Sequence, residues 1–155
     1  MPSTQGKNQE FEAAIKRVIN TLEDSQKGMA EIGERLKDAE LKRFFLGESL
    51  KRANFRGELE NELHRHGIAD VDESGTMTGA LYRAWAGLKA KLGGSDQSLV
   101  ATAEEADEES IQAYKGALDQ ELPVPVRQLM VEQQTQILSA RDFMRESRME
   151  FKKAS

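Results

Sequence analysis

Apolar side chains recur along this chain with the rhythm of packed helices. Phe11, Ile15, Val18, Leu22, Ser25, Met29, Ile32 and Leu36 alternate at spacings of four and three. A repeat of that kind is a seam of knobs into holes, and it predicts a helix over 9–36. The next stripe is Leu41, Phe45, Glu48, Arg52, Phe55, Leu59, Leu63 and His66, which predicts a helix over 38–66. Asp38 is placed to cap its start, and Gly67 suits the position just past its end. A turn-rich stretch from Ile68 to Thr76 follows. Met77, Leu81, Trp85, Leu88 and Leu92 then predict a shorter helix over 77–92, ended by Gly93-Gly94. Val100, Glu104, Asp107, Ile111, Tyr114 and Leu118 predict a helix over 96–122, with a stripe of mostly small residues from Leu99 to Ala117 beside them. Past the break at Pro123-Val124-Pro125, the positions Val126, Met130, Gln133, Ile137, Ala140, Met144 and Phe151 predict a last helix over 125–151.

Four long helices make an all-α four-helix bundle, and the connections select its topology. The first and last connections are tight, so each joins antiparallel neighbours. The middle one is long and holds a helix of its own, long enough to return the chain along the bundle. That is a ferritin-like arrangement with a long crossover, which a simple up-and-down bundle does not need. The stripe of Leu81, Trp85 and Leu88 is expected to pack on the bundle or on a second subunit. Residues 1–8 are polar and are read as a disordered N-terminus ahead of one domain over 9–152.

Several of the inward positions are polar, and this is where candidate chemistry enters. Ser25 lies 16 residues above Gln9 in a rising first helix, and Glu48 lies 10 below Asp38 in a falling second one. With the crossover returning the chain to the top, Glu104 and Asp107 lie 9 and 12 below Ser95. At ~1.5 Å per residue these fall in one slab, with Arg52 just beneath and Gln133 lower. The expected polar core layer is therefore Ser25, Glu48, Arg52, Glu104, Asp107 and Gln133. Carboxylates in an apolar interior repel unless something neutralises them. Arg52, with five donors and a permanent charge, is the expected counter-charge to Glu104 and Asp107, which makes the layer structural. If any metal binds, its ligands are Glu48, Glu104 and Asp107, with iron or manganese the alternative cofactor.

Composition trims the function classes. The 155 residues include no cysteine, so disulfides and thiolate chemistry are excluded. The net charge is −5, from 22 basic and 27 acidic side chains, without a concentrated basic face that would suit nucleic acid. No apolar run approaches the ~20 residues of a membrane span, and the N-terminus lacks a signal-peptide core, so a cytoplasmic location is expected. His64 and His66 stand two apart on different helix faces and are poorly placed to clasp one ion. Neither a Ser-His-Asp set nor a phosphate-cradling glycine loop can be assembled.

Several motifs carry a resemblance. They are Phe45-x-x-x-Ser49-x-x-Arg52-Ala53-x-Phe55, Glu58-Leu59, Ser74-Gly75, and Gly79-Ala80-Leu81-Tyr82-Arg83-Ala84-Trp85 followed by Leu88-Lys89. Glu104-x-x-Asp107 with Tyr114, Val126-Arg127 and Gln133 extend it. Together they resemble bacterial ferritin-like four-helix-bundle proteins classed as a domain of unknown function. The resemblance implies the ferritin-like fold but not ferritin chemistry. Iron-handling bundles of that class use Glu-x-x-His pairs, and here no Glu stands three residues before a His. The counterpart in the expected second helix is Asn61-x-x-His64, and the fourth helix has Arg141. The sequence reading is a non-catalytic bundle without a required cofactor, active in interaction or self-assembly, with a homodimer the expected state. A metal-binding or oxidoreductase bundle, and a small-molecule binder with a cavity near Tyr114 and Trp85, are the alternatives.

Overall fold

The computed structural model describes residues 4–68 and 94–154, with side chains over 10–68 and 94–151. Four helices account for nearly all of them: α1 (Thr4–Arg35), α2 (Ala39–Arg65), α3 (Asp96–Leu118) and α4 (Val124–Ala154). The all-α four-helix bundle expected from periodicity is present. The short helix expected over 77–92, with Leu81, Trp85 and Leu88, lies outside the described residues. Two boundaries differ from the periodicity reading by four residues or more. α1 begins at Thr4 and not near Gln9, because a helix's first turn can be polar all round and leave no stripe to read. α3 stops at Leu118 with Asp119 as its C-cap, short of Leu122. Pro123 disfavours helical backbone in the residue before it, so the chain unwinds ahead of the proline.

The bundle is a square in which α1 touches α2 and α3, and α4 touches α3 and α2. The pairs α1/α4 and α2/α3 therefore sit on the diagonals. Direction comes from Asp96 in the first turn of α3. Its Oδ1 accepts from the Lys37 amide and its Oδ2 from the Asp38 amide, each at 2.9 Å. α3 thus starts at the end of the bundle where α1 hands over to α2. α2 and α3 run parallel across the diagonal, and the chain leaves α2 at one end and enters α3 at the other. Asp96→Ala removes the acceptor for two backbone donors in the α1/α2 turn. We expect it to cost about 1 kcal/mol in urea unfolding, with no change in helical content by circular dichroism.

Caps and close seams hold the helices together. Asp38 caps α2 by accepting from the Leu41 amide, and Ser95 caps α3 by accepting from Ser98. Gly33 permits the close approach of α1 to α2: a Cβ there would lie 2.8 Å from Leu46 Cδ2 and 3.3 Å from its backbone nitrogen. Ser49 ties the same seam by donating to the Gln26 carbonyl at 2.8 Å. The apolar interior falls into two clusters. One gathers Met29, Ile32, Phe45, Leu99 and Met144 toward the α1/α2 turn. The other gathers Ile15, Leu22, Phe55, Leu59 and Met130 toward the opposite end. Charged and polar side chains separate them.

Candidate functional site

The separating layer is built on the inward stripe of α2. Glu48 and Arg52 are one turn apart on that stripe, between Phe45 and Phe55, so both project into the bundle. Arg52 is fully buried, and its partner is the equally buried Asp107 of α3. Nη1 donates to Asp107 Oδ1 at 2.7 Å and Nη2 donates to Oδ2 at 3.0 Å. This is a two-pronged guanidinium–carboxylate pair spanning the bundle diagonal. Nη2 also donates to Glu48 Oε2 at 3.3 Å, and the other oxygen of Glu48 meets Lys51 Nζ at 3.4 Å. Burial pushes the guanidinium pKa down, but Asp107 and Glu48 together push it up further, so Arg52 stays charged in the interior. Its Nε has no partner among the described residues.

A neutral relay continues from this ionic group. The Tyr114 hydroxyl, buried on α3, donates to Gln133 Oε1 at 2.8 Å. Gln133 Nε2 in turn donates to the Phe55 carbonyl on α2 at 2.9 Å. Three helices are thereby tied through one amide. Burial pushes the Tyr114 pKa far up, with Arg52 opposing and Glu58 adding to the rise, so the phenol remains protonated and can donate.

The structure separates the other expected members of the layer. Ser25 is buried, yet its hydroxyl donates to the Leu22 carbonyl of its own helix at 3.2 Å and adds nothing to the ion network. Glu104 does not meet Arg52. Arg148 donates to it at 2.6 and 3.3 Å, and Arg145 donates at 3.2 Å. The reason is angular. Three residues of helix turn ~300°, so a side chain three positions before Asp107 points some 60° away from it, here toward α4. Burial pushes the Glu104 pKa up, but Arg148 and Arg145 outweigh that and hold the carboxyl below its usual range. Arg141 continues the row by donating to Glu108. These arginines escaped the periodicity reading because charged residues off an apolar stripe look like a solvated face. The signal was present in the spacing: Arg141, Arg145 and Arg148 recur at four and three, opposite Glu104 and Glu108 at four.

The carboxylates of the layer are engaged by cations of the chain itself. Among the described residues no three His, Asp or Glu side chains are grouped to hold one ion. Glu48 and Asp107 share the Arg52 cation, and Glu104 is committed to α4. His66 sits beside Glu62 at 3.4 Å near the end of α2, away from the layer.

With this geometry in place, comparison with known families places the chain. The profile of a family described as Domain of unknown function (DUF2383) matches residues 10–120. The chain belongs to the DUF2383 family. Comparison with curated proteins finds no match. The DUF2383 match spans α1 to α3 and therefore includes Glu48, Arg52, Asp107 and Tyr114. α4, which supplies Gln133 and the arginine row, lies beyond it. No described helix of this DUF2383 chain is long and apolar enough to cross a membrane.

One further acid, half-buried, sits outside the layer. Asp24 of α1 has an oxygen, Oδ2, that is buried without a partner among the described residues. Burial, and then the neighbouring Glu23, push its pKa up to about 6 against the partial relief of Lys27. Its ionised form is thus penalised in the fold above pH 6, and the penalty fades as pH falls toward the unfolded value. We expect Asp24→Asn to stabilise by about 1 kcal/mol at pH 7.5, allowing for the group's half-exposure, and by almost nothing at pH 4. Urea midpoints at the two pH values check it.

Proposed function

We propose that this DUF2383 chain is a non-catalytic bundle of ferritin-like connectivity that acts in the cytoplasm by interaction or self-assembly, as a homodimer. The observation that carries this reading is the Arg52–Asp107–Glu48 group. It stands in the bundle interior, where iron-handling bundles of the same connectivity place their carboxylate and histidine ligands. A guanidinium held by two carboxylates takes the place that a cation would take, so the layer serves register and cohesion. The ferritin-like connectivity draws support from α2 and α3 running parallel on a diagonal. Assembly draws support from large apolar side chains left in solvent on two helices, Leu50 on α2 at 70% exposure and Met149 on α4 at 50%.

Two measurements on purified protein test it. Native mass spectrometry is expected to give a dimer, and elemental analysis without added chelator to give iron, manganese and zinc well below one per chain. One tightly held ion per chain sinks the structural role of the layer and turns the carboxylates into ligands. A strictly monomeric protein at micromolar concentration sinks the self-assembly half.

A further inference from the structure

Of the four neighbouring helix pairs, α2 and α4 touch the least, and their seam opens at the end of the bundle where α2 begins. A groove of about 330 Å³ lies there, lined by Leu41, Phe143 and Phe151 together with Asp38, Glu40, Ser147 and Glu150. Phe143 is 39% exposed and is backed by Phe44, the two ring centroids 4.2 Å apart. Among the described residues, every charged group in the lining is a carboxylate. Asp38 is occupied as the cap of α2, whereas Glu40 and Glu150 make no ion pair among the described residues. Lys42, which could have neutralised them, reaches back to the Glu34 carbonyl.

We propose that this groove binds a small organic cation, an amine or quaternary ammonium carried on an apolar body. The apolar part lies against Leu41, Phe143 and Phe151, where aromatic faces favour a neighbouring cation. The ammonium lies at the rim against Glu40 and Glu150. Size selects a small ligand over a protein partner. The volume is at the lower end of small-molecule sites, and a stable protein interface needs ~800 Å² from each side. The proposal stands apart from the ionic layer and from the self-assembly reading, neither of which it uses.

The test is a titration of ¹⁵N-labelled full chain with phenethylammonium and benzyltrimethylammonium, beside neutral 2-phenylethanol and anionic 3-phenylpropionate. We expect saturable amide shifts confined to residues 38–44 and 143–151, with a Kd on the order of 1 mM for probes this small. The neutral and anionic probes should bind at least several-fold more weakly. Glu40→Gln with Glu150→Gln should weaken the cations about tenfold and leave 2-phenylethanol unaffected, with the melting temperature lowered only slightly, since both positions are exposed and Glu40 adds only a first-turn charge to α2. Equal binding of cation and neutral analogue, insensitivity to the double substitution, or no localised shifts overturns the proposal. So does a dimer that Phe143→Glu dissociates and that excludes the probes, since the groove is then an interface between copies.

Discussion

Arg52→Met is expected to lower the unfolding free energy at pH 7 by about 3–5 kcal/mol, the usual cost of leaving a buried charge without its partner. The side chain is fully buried and holds two carboxylates, at 2.7 and 3.0 Å to Asp107 and 3.3 Å to Glu48. Methionine fills most of the volume but supplies no charge and no donor. Glu48 keeps Lys51 at 3.4 Å, so the main orphan is Asp107. The loss is expected to shrink at pH 5, since a buried carboxylate without a counter-charge takes up a proton readily. Adding Asp107→Asn and Glu48→Gln should recover much of it, because an interior from which all members of an ion group are removed can be nearly as stable as the original. Glu104→Gln should recover nothing, as that carboxylate belongs to Arg145 and Arg148. Guanidinium unfolding of the single and triple variants at both pH values decides it. A harmless Arg52→Met would falsify the buried diagonal pair.

Gln133→Leu is expected to cost about 2–3 kcal/mol, because it strands a buried hydroxyl and a buried carbonyl contact at once. Gln133 accepts from Tyr114 and donates to the Phe55 carbonyl, so the leucine variant leaves the buried Tyr114 hydroxyl without its acceptor. Tyr114→Phe alone removes the donor and costs less, about 1 kcal/mol. The double variant should be no worse than Gln133→Leu alone, since the phenylalanine ring asks for no partner. Additive losses in that double-mutant cycle would show that the two side chains act separately.

Both predictions concern positions that interrupt an apolar stripe, and those were visible in the linear pattern. Glu48, Arg52, Asp107 and Gln133 each occupy a core position on a helix, so burial followed from spacing alone, and all four are buried. The N-cap at Asp38 and the stop at Gly67 were likewise local facts, the latter carrying the positive φ of 72° for which glycine is suited. What spacing could not resolve was which polar groups meet. Glu104 and Asp107 share a stripe in a list of residues but differ by some 60° on the cylinder. That difference sends one to Arg148 and the other to Arg52. Ser25 fits the stripe equally well and makes only a bond within its own helix.

Helix count, helix phase and the presence of polar groups in the core are properties of single segments, governed by the 3.6-residue turn and the gain from burying one face. The sequence by itself determined these, and no partner helix was needed to read them. Partner choice is a property of pairs. It depends on how α2 and α3 are disposed on a diagonal, on the angle at which each side chain leaves its helix, and on the cost of an uncompensated buried charge. The Arg52–Asp107 pair joins residues 55 positions apart, and the Arg148–Glu104 pair joins residues 44 apart. Only the tertiary structure decided those assignments, because a buried charge takes whichever counter-charge the packed backbone brings within hydrogen-bond reach.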